Sequence, residues 1–483
     1  MSNLKQKTLS GFIYKFLERG AAQGISFVVQ IILARILMPE EFGIIALLTV
    51  LITILDVFVT YGFGNSLVVN KESDDLDFST CFFFGLFLSF VLYAVVYVSS
   101  PYISLYFYGN KELDLLVKVM ALRMPIAAVN TVQYAYIQKK MQFKLFFYAT
   151  LVGTILSGIV GIAMAYTGFG VWALVAQYLS NTFFNTITMW IASEWRPKWM
   201  FSFQRLKVIY DYGWKILVVG LIDTIFGQIR SLVIAKQYTK ADLAYYNRGI
   251  SFPGFGMRLI EPTINTVLFP ALSNCNDNCQ MMKTITQRII KVSTFIICGI
   301  MFFLMAVAKP LVVVLLTEKW LPCVVFLQIG CLAYMLRPLQ VINACVVRAS
   351  GNSALLLKLD IIKKSIGLAL LLIAMPFGVV AIAWSYFGFC FISTIINIYP
   401  NKSILKYGYF EQFKDLANNL VIALIIGVVV WLITLLPLNS YLTLVIQVIV
   451  ATILWFLVCK IFKVDSYIYL YNLVTEQIKK HKK

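Results

Sequence analysis

The sequence is poor in charge. Only 13% of its 483 residues are charged and 60% are hydrophobic, whereas roughly a quarter of a soluble chain is charged. This deficit excludes an ordinary soluble enzyme and a disordered protein. The formal net charge of +19 does not indicate a nucleic-acid partner, because a basic balance does so only when the charges lie on a soluble surface.

Histidine is nearly absent, and the nine cysteines are scattered. The single histidine, His481, lies in a lysine-rich tail, which argues against histidine acid–base or triad chemistry. Only Cys275 and Cys279 are close together in the sequence, and no histidine lies near them. Because metal sites usually need clustered Cys and His ligands, we expect no metal, no resident cofactor and no catalytic residue.

Long apolar segments dominate the chain. A membrane-spanning helix needs about 20 predominantly apolar residues, and this pattern predicts an all-α polytopic membrane protein. The fourteen predicted spans are 12–34, 42–64, 79–100, 114–136, 145–166, 171–192, 213–235, 247–270, 289–308, 323–347, 359–377, 379–399, 417–436 and 440–462. The longest segment between spans, about 193–212, is too short for a soluble domain, and its aromatic and aliphatic residues predict an interfacial helix.

The loop charges predict an orientation. Lys and Arg fall mainly in the segments that share a side with the N-terminus, which places both termini in the cytoplasm. The loop 236–249 is an exception, since Lys236, Lys240 and Arg248 fall on the outer side. The basic tail could contact anionic lipid.

Two internal echoes predict a repeat. Residues 34–45 (ARILMPEEFGII) and 235–246 (AKQYTKADLAYY) each follow the first span of a half. The pattern predicts two parallel six-helix lobes, 1–200 and 201–400, followed by two further helices and a basic tail in 401–483. In transporters built on such repeats, the substrate site lies between the halves.

The second echo pairs two spans that contain proline. Pro125 and Asn130 in the fourth span have the same five-residue spacing as Pro338 and Asn343 in the tenth. Proline frees a backbone carbonyl and bends a helix. We therefore expect these four residues to provide helix bends and polar support.

Ionisable side chains inside the spans mark the candidate site. A charge at the bilayer centre costs about 2.5–3.5 kcal/mol on insertion scales, so such residues should face a cavity, water or a partner. Arginine suits phosphate because its planar fork binds pairs of oxygens. The candidate substrate-binding residues are Arg19, Arg123, Arg230, Arg258 and Arg337. The candidate cation-coupling or ion-pair residues are Asp56, Asp223 and Glu261.

Several of these residues have two interpretations that the spacing leaves open. Asp56 is either a cation-coupling carboxylate or a structural partner of an arginine. Arg123 and Arg337 beside their prolines are either anion contacts or salt-bridged residues at a kink. Arg258 and Glu261, three residues apart, fit a local ion pair.

Six stretches carry a family resemblance. They are LARILMPEEFG (33–43), YGFGNSLV (61–68), AYIQKKMQF (135–143), LAYYNRG (243–249), LFPALS (268–273) and EKWLPCVVFLQI (318–329). With them, the chain resembles the Wzx-type polysaccharide flippases, and more closely the WzxC-like exporters, of the multidrug, oligosaccharidyl-lipid and polysaccharide (MOP) exporter superfamily.

The resemblance implies a fold and a function. It implies two six-helix lobes in a V shape that work by alternating access, as in the related MATE transporters. It further implies export of an undecaprenyl-pyrophosphate-linked oligosaccharide across a bacterial inner membrane, for lipopolysaccharide or exopolysaccharide synthesis. Glycan polymerase and export machinery would be neighbours, and H⁺ or Na⁺ could drive the transport. No fixed set of site residues comes with the resemblance.

Three other functions stay open at this point. A multidrug cation antiporter of the same superfamily would need an acid-dominated cavity, and here arginines only slightly outnumber acids. A peptidoglycan-precursor flippase is a second alternative. A membrane glycosyltransferase or polymerase is a third, because Glu40 and Glu41 lie in the first outer loop, although no large outer loop accompanies them.

Overall fold

A computed structural model describes residues 20–60, 63–69, 73–109, 111–275, 278–461 and 467–468. The chain divides into two compact units, Met1–Ala244 and Tyr245–Lys483. The helices of the first unit are α1 (Gly20–Ile36), α2 (Pro39–Thr60), α3 (Phe63–Val69), α4 (Asp75–Phe107), α5 (Lys111–Ala121), α6 (Arg123–Lys139), α7 (Phe143–Tyr166), α8 (Val171–Ala192) and α9 (Phe203–Gln237).

The second unit has the same helical character. Its boundary falls inside α10 (Lys240–Ser273). The helices that follow are α11 (Cys279–Leu316), α12 (Cys323–Met335), α13 (Arg337–Ala349), α14 (Ser353–Ala374), α15 (Val379–Ile404), α16 (Tyr409–Leu432) and α17 (Ser440–Ile461). Short 3₁₀ turns occupy Glu318–Trp320, Met375–Phe377 and Ile433–Leu435. No strand occurs in the part of the chain that the structure describes, and the all-α prediction is confirmed.

Among the described residues, ten helical segments are long and apolar enough to cross a membrane. They match ten of the fourteen predicted spans, and the chain is a multi-pass membrane protein. Helices also lie at the other four predicted positions, as α1, α8, α10 and α14. The total of fourteen crossings and the lobe boundaries at 200 and 400 stay predictions.

The fourth and tenth predicted spans are each built from two helices. The first is interrupted at Leu122, between α5 and α6, and the second at Leu336, between α12 and α13. At both breaks the backbone makes a tight turn, with Leu122 N–H bonded to Val119 O and Leu336 N–H to Ala333 O. Proline is tolerated in the first turn of a helix because its missing N–H is not needed there. Arg123 and Arg337 are therefore each the first residue of a new helix.

The interfacial helix expected at about 193–212 is wrong in its bounds. Residues 193–202 are not helical, and residues 203–212 form the first turns of the continuous helix α9. The connection is fixed to α4, where Lys198 N–H donates to Ser79 Oγ at 3.1 Å and Ser202 N–H donates to Thr80 Oγ1 at 3.2 Å. Burial of Trp195 against Phe78 and Phe82 holds this connection on the unit.

Helices α7 and α8 pack closely through complementary stripes. On α7, Gly153, Ser157 and Gly161 are spaced by four residues and lie on one face. A Cβ at Gly161 would stand 2.7 Å from the Cβ of Gln177 on α8, so only glycine allows this approach. Asn181 Nδ2 donates to Ser157 Oγ at 3.1 Å. Small residues facing polar residues are typical of close helix pairs in membranes.

Candidate functional site

Arg123 links three helices of the first unit. Its Nη1 donates to Asp56 Oδ2 on α2, and its Nε donates to Thr182 Oγ1 on α8 at 3.1 Å. The side chain of Asp56 is mostly buried, at 16% exposure, while that of Arg123 keeps 29%. Sequence reasoning proposed both residues separately, and the structure brings them together as an ion pair.

This ion pair is incomplete. Arginine binds a carboxylate most strongly through two parallel N–H···O bonds, yet only one bond joins Arg123 to Asp56. The buried Oδ1 of Asp56 accepts no hydrogen bond from any described residue. Likewise, Nη2 of Arg123 makes none to the described residues. The guanidinium therefore has a free donor and a partly exposed face.

A row of polar contacts continues from Arg123 along α6 and α8. Seven residues further on, Asn130 Nδ2 donates to Asn185 Oδ1 at 3.0 Å, and the hydroxyl of Tyr134 donates to the same oxygen at 2.7 Å. Asn130 is the predicted polar support of this half, and Pro125 lies in the first turn of α6. These bonds hold α8, and with it Thr182, against the helix that carries Arg123.

The threonines of α2 are used within their own helix. Thr49 donates to Ile45 O at 2.7 Å, Thr53 to Thr49 O at 2.6 Å and Thr60 to Asp56 O at 2.7 Å. Such bonds to the preceding turn satisfy a hydroxyl locally. The side chain of Asp56, by contrast, bonds to another helix.

The second unit contains an ion pair at the equivalent place. Arg337, the first residue of α13, donates through Nη2 to both oxygens of Glu261 on α10, at 3.0 and 2.9 Å. Both side chains are about one-third exposed. In the first unit, Asp56 of the second predicted span pairs with Arg123 of the fourth. In the second unit, Glu261 of the eighth predicted span pairs with Arg337 of the tenth.

The repeat-related Asn343 lies in a fully buried amide cluster. It donates to Gln412 Oε1 at 2.8 Å and accepts from Gln412 Nε2 at 3.0 Å, and its Oδ1 also accepts from Asn401. Pro338 stands next to Arg337 in the first turn of α13. This cluster joins α13 to α15 and α16, and its zero exposure makes it structural.

The remaining candidates are dispersed. Arg19 and the side chain of Arg258 lie outside the described residues. Arg230 is 5% exposed, with its guanidinium 6.0 Å from the ring centre of Phe226, whereas Asp223 is exposed. The local pair of Arg258 with Glu261 stays a prediction.

Sequence reasoning missed the polar residues that bond Arg123 and the two predicted asparagines. Thr182 bonds Arg123, Asn185 bonds Asn130, and Asn401 and Gln412 bond Asn343. A signal was present, because Gln177, Asn181 and Asn185 repeat every four residues within a predicted span. Buried amides, like buried charges, need partners at membrane depth, so these three residues were recognisable as a polar stripe.

The segment 236–249, predicted as an outer loop, is helical except at residues 238–239. Its three basic residues all lie over aromatic rings. The Nζ of Lys236 is 3.7 Å from the ring centre of Tyr106, and that of Lys240 is 5.2 Å from that of Tyr108. In the second unit, the guanidinium carbon of Arg248 is 5.4 Å from the ring centre of Trp320. Burial raises the pKa of Tyr108 to about 12, which keeps that ring neutral. Cation–π contacts of this kind stabilise a charge locally.

The described residues contain no group of three or more His, Cys, Asp or Glu side chains that could hold a metal ion. What they do contain is two arginines, each anchored by one acid, in a membrane protein. Such an arrangement can bind the oxygens of an anion.

The chain matches known proteins along much of its length. A family model described as "Polysaccharide biosynthesis protein" matches residues 32–325. The succinoglycan biosynthesis transport protein ExoT of Rhizobium meliloti is 23% identical over 64% of this chain and 62% of its own length, so the match spans less than two thirds of that relative. The lipopolysaccharide biosynthesis protein WzxC of Escherichia coli is 23% identical over 69% of this chain and 68% of its own.

Solved structures share the fold. The lipid II flippase MurJ in an inward closed conformation has a TM-score of 0.77 at 15% identity, covering 95% of this chain and 99% of that one. An inward-facing multidrug resistance MATE transporter of the MOP superfamily has a TM-score of 0.64 at 16% identity, covering 82% and 96%. The predicted MOP-type architecture is thereby confirmed at the level of the fold.

Proposed function

The chain belongs to the polysaccharide biosynthesis protein family, and from that premise we propose that it moves lipid-linked oligosaccharide units across a membrane. The substrate is an oligosaccharide on undecaprenyl pyrophosphate, and the work is transport by alternating access, not catalysis. Relatives whose names state succinoglycan transport and lipopolysaccharide biosynthesis support this substrate class.

The observation that carries the proposal is the state of Arg123. It is held at the start of α6 by Asp56 and Thr182, is 29% exposed, and keeps one terminal nitrogen without a partner in the described chain. A guanidinium fixed in this way matches phosphate oxygens. Arg337 offers a second such group, and Arg19, Arg230 and Arg258 are the further proposed contacts.

The proposed setting is a bacterial inner membrane with both termini in the cytoplasm. The distribution of Lys and Arg supports this orientation. Lys236, Lys240 and Arg248 oppose it, and each of them is stabilised locally by a cation–π contact. Glycan polymerase and export machinery are the proposed neighbours, because the transported units need both.

Coupling to H⁺ or Na⁺ belongs to the same proposal. Asp56, Asp223 and Glu261 are the acids available at membrane depth. Asp56 and Glu261 are paired to arginines, so a cation there would have to compete with a guanidinium. Asp223 is exposed.

The test follows a labelled undecaprenyl-pyrophosphate oligosaccharide between the leaflets of proteoliposomes. The double variant Asp56→Asn/Arg123→Gln replaces the ion pair by two amides and leaves no buried charge behind. Its matched control is Asp114→Asn/Lys118→Gln, which neutralises an ion pair of α5 with a 2.9 Å N···O distance. We expect the control to transport as wild type does, and the site variant to fold but not transport.

Normal transport by the site variant would show that Arg123 is only structural. A parallel measurement of cationic drug efflux addresses the antiporter alternative. Drug efflux by the wild type without any movement of the lipid would leave the fold intact and overturn the proposed substrate.

A further inference from the structure

The ion pair of Asp56 and Arg123 in the first unit has a single hydrogen bond, and another anion could bond the same guanidinium through two. Asp56 engages one terminal nitrogen of Arg123 through one oxygen, and the other oxygen of Asp56 is buried without a hydrogen-bond donor among the described residues. An unpaired buried carboxylate oxygen is destabilising. The pair therefore holds Arg123 more weakly than a two-bond contact would.

Thr182 fixes the guanidinium independently of Asp56. Because its hydroxyl accepts from Nε at 3.1 Å, neither terminal nitrogen is needed to keep the side chain in place. Arg123 also opens α6 directly after the break at Leu122, so the side chain leaves from a helix end. The two terminal nitrogens can therefore change partners while the arginine stays at its position.

We propose that Asp56 is an internal counter-ion, which the anionic head of the substrate displaces from Arg123 on binding and which recaptures Arg123 on release. The inference rests on the function proposed above and names how that same site is regulated. A phosphate group offers several oxygens and can engage both terminal nitrogens together, whereas Asp56 engages one. After displacement, Asp56 is a buried carboxylate without its cation, which draws the arginine back.

The counter-ion solves a problem that any carrier of a pyrophosphate faces. A permanently free arginine at membrane depth would be costly in the empty protein and would hold its substrate too long. An internal competitor lowers the apparent affinity by the fraction of sites that it occupies. Asp56 thus supports both the empty state and the release of the substrate.

The experiment measures binding of undecaprenyl pyrophosphate to the full chain in nanodiscs, with undecaprenol as the uncharged reference. In Asp56→Asn the competitor is removed while the shape of the side chain is kept. We expect binding of undecaprenyl pyrophosphate to tighten about tenfold, as for a site that the counter-ion occupies nine-tenths of the time. Asp56→Ser provides a second neutral variant, with the same expected direction, if the asparagine variant does not fold.

Two controls separate competition from a general effect of charge. Asp114→Asn also removes a half-buried carboxylate of the first unit, one that pairs with Lys118, and we expect its affinity to equal that of the wild type. Adding Arg123→Gln to Asp56→Asn removes the group for which the anions compete, and the gain in affinity is expected to vanish.

The outcomes distinguish the two proposals. If Asp56→Asn binds undecaprenyl pyrophosphate no more tightly than the wild type, or if Asp114→Asn gains as much, the counter-ion role is overturned and the proposed function stands. If the wild type binds undecaprenyl pyrophosphate no better than undecaprenol, recognition of the pyrophosphate fails, and the proposed function fails with it.

Discussion

The two units solve one problem in different ways. Each has an arginine at the break of a membrane helix and an acid from an earlier helix that partners it. In the first unit the carboxylate is 16% exposed and bonded through one oxygen, whereas in the second it is 31% exposed and bonded through both. The two units therefore share a charge pair at a helix break and differ in how many carboxylate oxygens the arginine engages.

The largest expected difference comes from removing each arginine. Arg123→Ala leaves Asp56 as a buried, unpaired charge, which should destabilise the protein by about 3–5 kcal/mol. Arg337→Ala removes the partner of Glu261, whose side chain is already twice as exposed as that of Asp56. We therefore expect a clearly smaller loss of stability. Thermal unfolding in detergent measures both variants, and equal losses would contradict the distinction drawn between the two pairs.

The repeat-related asparagines provide the next comparison. Asn343→Ala leaves the buried Oε1 of Gln412 without its donor and removes the side-chain acceptor shared by Asn401 and Gln412, and we expect a loss of about 2–3 kcal/mol. Asn130→Ala leaves Asn185 with its bond from Tyr134, so we expect about 1 kcal/mol. Unfolding by denaturant would rank the two variants, and a larger loss for Asn130→Ala than for Asn343→Ala would contradict this expectation.

Two helical glycines should respond with opposite signs. A Cβ at Gly249 would lie 2.6 Å from the carbonyl oxygen of Cys323, so Gly249→Ala should destabilise the second unit by about 1–3 kcal/mol. At Gly227 in α9 a Cβ would meet nothing within 4 Å, and Gly227→Ala should stabilise by about 0.5–1 kcal/mol. The apparent melting temperatures of the two variants should move to opposite sides of that of the wild type.

The smallest expected effect is the contribution of two helix caps to the pH dependence of stability. Asp74 caps α4. The N–H of Asp77 donates a hydrogen bond to the Asp74 carboxylate, and this bond lowers the pKa of Asp74. This contribution is therefore present above the ordinary carboxyl pKa and lost as the pH falls through the lowered one, below about pH 4. Asn278 caps α11 through a neutral amide, so α11 has no such loss.

Exchanging the caps checks this reasoning. In Asp74→Asn the acid sensitivity of melting below pH 4 should decrease, and in Asn278→Asp it should increase. The Asp77 carboxylate contacts the same cap, so Asp77→Asn serves as the reference for a neighbouring charge. Unchanged pH profiles in both exchange variants would mean that neither cap limits stability in acid.

Much of the fold was predictable from the sequence, because a bilayer imposes a length and an apolar composition on every crossing. Where the structure describes them, the predicted spans coincide largely with helices, and the break before Arg123 falls where proline follows within the first turn. Helix rotation was not predictable, and it decides that Thr182 and Asn185 face α6.

The ion-pair partners of the buried acids were also not fully predictable from the sequence. Glu261 lies three residues from Arg258 in the sequence, and local spacing favours that neighbour. The structure bonds Glu261 to Arg337, 76 positions away, a partner that the sequence reasoning did not name. Only tertiary packing brings α10 and α13 together, and no pattern within one helix encodes that contact.

The stripes that join α7 and α8 have a consequence for how the protein is made. A connection of four residues with positive φ at Gly168 and Gly170 brings the two helices together as soon as both have left the ribosome. We expect this hairpin to enter the bilayer as one piece, with its amides already covered by the glycine face of α7. Arg123 is synthesised earlier and would bond Thr182 only after this hairpin has inserted. A force profile recorded during translation should show one pulling event for the pair, and Gly161→Leu should split it into two.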